Sequence, residues 1–93
     1  MYYAVAKLAF EASGNSDQDR RELHSLIKKI EARFRICIRP SDAFYKDGSP
    51  EIAVALLEKT QNQINQVLSD VIAFCETSGF GRVEEEGVVV DSF

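Results

Sequence analysis

From Tyr2 to Phe10 the chain alternates with a period of two. Tyr2, Ala4, Ala6, Leu8 and Phe10 fall on one side, and Tyr3, Val5, Lys7 and Ala9 on the other. This pattern predicts a β-strand with two unlike faces. Gly14-Asn15 breaks the run. From Ser16 the spacing changes to three and four. Leu23, Leu26, Ile27 and Ile30 form one stripe and Phe34 continues its phase, while Glu22, Lys28, Lys29 and Glu31 lie off it. An amphipathic helix follows. Ser16, with Asp19 three residues on, reads as a capping-box-like start in which Asp replaces Glu or Gln.

Phe34–Arg39 returns to a period of two, with Phe34, Ile36 and Ile38 set against Arg35, Cys37 and Arg39. Pro40 has no N–H and ends regular pairing there. Ser41–Pro50 contains Asp47-Gly48-Ser49-Pro50 and reads as a turn or long hairpin loop. Ile52–Leu57 is a third strand of small and branched residues. Thr60 and Gln63 make a second capping box, ahead of the stripe Ile64, Val67, Leu68, Val71, Ile72 and Cys75. Ser78-Gly79 is the expected stop, with Gly79 in the left-handed position. Arg82–Val90 is the last strand, most β-prone at Val88-Val89-Val90.

The order is β-α-β followed by β-α-β. Right-handed crossovers place both helices on one face of a single antiparallel sheet. The expected fold is α+β, a ferredoxin-like βαββαβ sandwich with four strands in the order 4-1-3-2. One domain spans residues 1–93, because a chain of 93 residues with 45% hydrophobic content builds one core. Such a chain buries roughly 60–65% of its unfolded surface, which leaves little room for an enclosed cofactor.

The net charge of −4 argues against duplex binding through the whole surface, but it permits a local basic patch. The two cysteines, Cys37 and Cys75, with the lone His24, are too few for a disulfide scaffold or a metal cluster. They read as free buried thiols of a reducing cytoplasm. Met1–Phe10 carries Lys7 in its middle and shows no basic leader or cleavage pattern. The longest apolar run, Ile52–Leu57, falls far short of a membrane span of about 20 residues. A cytoplasmic protein without a membrane partner is expected.

Catalytic signatures are sparse. There is no glycine-rich phosphate loop, and His24 has no evident Ser, Cys or Asp partner. Glu84 and Glu86 share a strand face while Glu85 points away, and a solvated strand end near Lys7 or Arg82 accounts for them. No catalytic, cofactor or metal-binding residue is nominated. Among ferredoxin-like proteins, a metallochaperone needs a Cys-x-x-Cys loop, and an acylphosphatase-type site needs an anion cradle where Glu11 stands here. An RNA-recognition motif needs aromatics on its middle strands, where this chain has Ala53, Ala55 and Leu57.

Ser16, Arg20-Arg21, Leu23, Ser25-Leu26-Ile27 and Arg33-Phe34 before alternating apolar residues resemble the YlxP-like family of small bacterial proteins. Ala53-Val54-Ala55 and the helix bearing Val67-Leu68, Val71 and Phe74 extend that resemblance over nearly the whole chain. Asp17-Gln18 replaces the family's Leu-Lys, and Phe44–Ser49 replaces a loop that usually carries Trp and Arg. The resemblance implies a ferredoxin-like fold and a bacterial cytoplasmic protein, encoded in many genomes near translation and ribosome-maturation factors.

Two functional surfaces are therefore expected. Lys7, Arg35 and Arg39 on the open sheet face, with Lys59 and the helix-borne Arg20-Arg21, are candidate contacts for ribosomal RNA or a ribosome-assembly component. The competing account makes these arginines a solvated face paired with Glu84 or Glu86. Tyr3, Val5, Cys37, Ala53, Ala55 and Leu57 are the candidate face of a homo-oligomer, a dimer in its simplest form.

Overall fold

The alternation of Tyr2–Phe10 builds the middle of the molecule. A computed structural model describes residues 1–78 and 83–93, Glu86 through its backbone alone. The elements in chain order are β1 (Tyr2–Phe10), α1 (Ser16–Arg33), β2 (Cys37–Pro40), α2 (Asp42–Asp47), β3 (Glu51–Glu58), α3 (Gln61–Ser78) and β4 (Val83–Ser92). The strands form one four-stranded sheet in the order β2-β3-β1-β4, which counted from the other edge is 4-1-3-2. Each of the three pairings is antiparallel.

One face of this sheet is covered. Ala4, Ala6 and Leu8 of β1 are fully buried with Ile38, Ile52 and Val54, against Leu23, Leu26 and Ile30 of α1 and Ile64, Val71 and Cys75 of α3. The residues between them on β1, Val5 and Lys7, are exposed. The two stripes of three-four spacing are thus the faces that the long helices bury.

The helix starts show how local chemistry sets boundaries. At α3 the reciprocal box forms: the Gln63 N–H donates to Thr60 Oγ1 at 3.2 Å, and the Thr60 N–H donates to Gln63 Oε1 at 3.1 Å. At α1 the cap is Asn15, one residue before the expected one, and its Oδ1 accepts the Gln18 N–H at 3.1 Å. Asn caps at least as well as Ser. Ser16 is therefore already helical, and Asp19 is released for another task. It is buried, and both carboxylate oxygens accept the Ser13 N–H, at 3.3 and 3.2 Å. That bond pins the β1–α1 connection to the first turn, where a negative charge is also favoured by the helix dipole. Replacing Asp19 by alanine removes the acceptor and is expected to cost about 1–2 kcal/mol, measured by urea unfolding. Asp19→Asn should recover part of the loss.

Three expectations are corrected. Ser41–Pro50 is not only a loop, because it holds the six-residue helix α2. Phe44 anchors this helix in the core. Gly48 ends it at φ 76°, its N–H donating to the Phe44 carbonyl at 3.0 Å. With one buried apolar residue it leaves no periodic stripe to read. Beyond it, the Ser49 N–H and hydroxyl both donate to Asp47 Oδ1 and hold that carboxyl below its ordinary range. Second, β2 starts at Cys37 rather than Phe34. α1 runs to Arg33, the Phe34 N–H still donates to the Ile30 carbonyl, and the pairing with β3 spans only Cys37–Pro40. The residues between carry the chain from the helix layer to the sheet. Third, β4 continues to Ser92, past Val90. The expected stop at Gly79 and the expected strand start at Arg82 lie outside the described residues. Among the described residues, no helix is long and apolar enough to cross a membrane.

Candidate functional site

The uncovered face of the sheet gathers most of the residues nominated from sequence. Pairing puts them in rows: Arg39 beside Ala53 beside Lys7, Cys37 beside Ala55 beside Val5 beside Val89, and Leu57 beside Tyr3 beside Asp91. Three large apolar side chains stand out of this surface, Val5 at 43% exposure, Leu57 at 59% and Val89 at 56%. Tyr3 is half-buried, its ring 6.0 Å from that of Phe93. At the β2 side the face dips into a shallow groove of about 750 Å³. Tyr3, Val5, Cys37, Ala55 and Leu57 line it, and Arg35, Arg39 and Glu31 contribute their charges.

Two of these neighbours were missed in the sequence. Val89 reaches the open face because the β1–β4 ladder shifts between Val5 and Lys7. There β4 carries Gly87 at φ 59°, the left-handed geometry of a bulge that glycine adopts without strain. Counted from Glu84, strict alternation assigns Val88 and Val90 to the open side; past the bulge the open positions are Val89 and Asp91, and Val90 packs on the core. Phe93 follows β4 and carries no periodic signal.

The basic residues do not assemble as one patch. Lys7, Arg35 and Arg39 belong to the open face or its rim. Arg20 lies on the helix side, its guanidinium 5.9 Å from the centre of the Phe44 ring. His24 meets the same ring edge-on at 5.7 Å. Arg21 is exposed on α1, and Lys59 is exposed in the β3–α3 connection. The expected pairing of the strand arginines with Glu84 or Glu86 is corrected for Arg39, since β2 and β4 occupy opposite edges of the sheet. Arg39 turns round its own edge instead. One guanidinium nitrogen, Nη1, donates to the Ile38 carbonyl at 2.6 Å and lies 3.8 Å from Glu31 Oε1.

No family model, curated protein or solved structure matches the chain. Its function is therefore inferred from the surface itself.

The cysteines divide, which corrects the reading of both as buried. Cys37 is an exposed thiol on the open face, whereas Cys75 is buried in α3. Burial, with a smaller contribution from the charge of Glu76, pushes the Cys75 thiol up to about 12, so it is inert at neutral pH. Among the described residues, no group of three or more His, Cys, Asp or Glu side chains is placed to hold a metal. What the open face offers is apolar area, small side chains that let another surface come close, and charge at its margins. Those are the components of a contact surface.

Proposed function

We propose that this chain is a ferredoxin-like, YlxP-like binding module that works by covering its open sheet face, and that the occupant of that face is a second copy of the chain. The carrying observation is the contiguity of Val5, Leu57 and Val89, exposed on three different strands of one face. A soluble monomer gains nothing from such a cluster, and its burial favours association. Four strands about 4.8 Å apart and averaging roughly eight residues, the short β2 included, offer on the order of 500 Å² per copy, about 1,000 Å² in all. That stands at the lower bound of a specific interface and fits a weak, reversible dimer. An exposed free thiol suits a reducing compartment such as the cytoplasm. Ribosomal RNA is the weaker occupant, because the candidate cations are spread over two sides of the molecule. The acidic net charge adds to that preference.

Sedimentation or light scattering from low to high micromolar concentration tests this, together with the 260/280 ratio of the purified protein. The expected result is a monomer converting to a dimer, free of nucleic acid. A strict monomer at the highest concentration would remove the proposal. Salt-sensitive RNA binding that Arg35→Ala with Arg39→Ala abolishes would replace it with the nucleic-acid reading.

A further inference from the structure

The rows of the open face are lopsided, and that asymmetry selects one way for two copies to meet. On β3 the open positions Ala53 and Ala55 are small, while their β1 neighbours Lys7 and Val5 are large. The β2 side carries Arg35 and Arg39, and the β4 side carries the exposed acids Glu84 and Asp91.

We propose that the two copies stack face to face about a two-fold axis that lies between the sheets and runs along the strands, midway between β1 and β3, so that each copy's β2 covers its partner's β4. This rests on the reading that the open face is covered by a second copy. Rotation about such an axis keeps every residue at its level along the strands and exchanges left with right. Val5 then meets the partner's Ala55, Lys7 the partner's Ala53, Tyr3 the partner's Leu57, and Cys37 the partner's Val89. At the Val5 and Lys7 levels a large side chain falls on a small one, which lets the sheets close to about 10 Å with their strands aligned within about 30°. Arg35, two residues before Cys37, falls toward the partner's Asp91 at the Tyr3 level, so opposite charges meet at both margins. Arg39 exchanges its contact with Glu31, an exposed pair at 3.8 Å, for the partner's β4. The alternative two-fold, running across the strands, sets β2 on the partner's β2 and β4 on the partner's β4. Like charges then oppose each other along both edges.

Thiol cross-linking separates the two arrangements. Within one chain positions 37 and 89 lie on opposite edge strands, about 14 Å apart by strand spacing, so a linker shorter than that joins them only between copies. Cys75 is buried and does not compete. With a short bis-maleimide, Val89→Cys should shift most of the protein from the monomer band to the dimer band of a denaturing gel. The wild type, with Cys37 alone exposed, should stay monomeric on that gel. Arg35→Glu should weaken the dimer seen by light scattering, and adding Asp91→Arg should restore it. A wild type that links as well as Val89→Cys, or a charge swap that restores nothing, would overturn this arrangement while light scattering still reports a dimer. A monomer by light scattering would instead remove the reading on which the arrangement rests.

Discussion

Leu8→Ala is expected to lower the unfolding free energy by about 3–4 kcal/mol, the middle of the range for truncating one buried leucine. Leu8 is fully buried on the central strand β1, paired with Ile52 on one side and at the level of Glu85 on the other. It belongs to the same buried cluster as Leu26 and Ile30 of α1 and Ile64 and Val71 of α3. Central strands relax little, because their backbone is held by ladders on both sides, so the volume lost remains as a cavity. A chain of 93 residues has a total stability of about 5–14 kcal/mol. The variant should therefore melt on the order of 15–25 °C lower. Thermal unfolding followed by circular dichroism measures this. Leu57→Ala is the matched control: the same chemistry at 59% exposure should change the monomer's stability by less than about 0.5 kcal/mol. A drop as large for Leu57 as for Leu8 would contradict the assignment of faces.

Leu57→Glu carries the largest expected effect on association. Leu57 borders the groove on the open face and pairs with Tyr3. In a two-fold dimer one substitution acts twice. Each copy loses apolar burial and brings a carboxylate into a dry contact, which costs far more than the methyl groups removed. The dimer dissociation constant should rise by about 100-fold or more, equivalent to roughly 2.7 kcal/mol. Sedimentation equilibrium over a concentration series measures it. The melting temperature of the dilute, monomeric protein should stay near the wild-type value, which separates a lost contact from a damaged fold. Tyr45→Glu, at a position 71% exposed on α2 and away from the open face, should leave the dissociation constant unchanged.

Much of this architecture is legible in the residues alone, for local reasons. The alternation of Tyr2–Phe10 and the stripes Leu23–Ile30 and Ile64–Cys75 mark which side of each element meets the core, because burial follows the element's own period. The box at Thr60 and Gln63 forms as its spacing predicts, since both partners lie within one turn. What failed locally failed through competition or brevity. Asn15 displaced Ser16 as the cap, and α2 was too short to display a stripe. The candidate surface was legible on β1, β2 and β3, where alternation is unbroken, and not on β4.

Local pattern was enough for the number and order of the long elements and the inward face of each, since period and capping depend on neighbours a few residues away. How those faces join is a property of the folded molecule. The order 4-1-3-2 already puts β2 and β4 at opposite edges; only the folded chain turned Arg39 round its own edge toward Glu31. It separated Cys37 from Cys75, one in water and one in the core. The bulge at Gly87 shifted the parity of β4, carrying Val89 out beside Val5 and turning Val90 inward. A single unpaired residue reverses the face of all that follow it on a strand. Where that residue falls is settled by pairing against β1, a partner some eighty residues distant in the chain, and no local pattern encodes it.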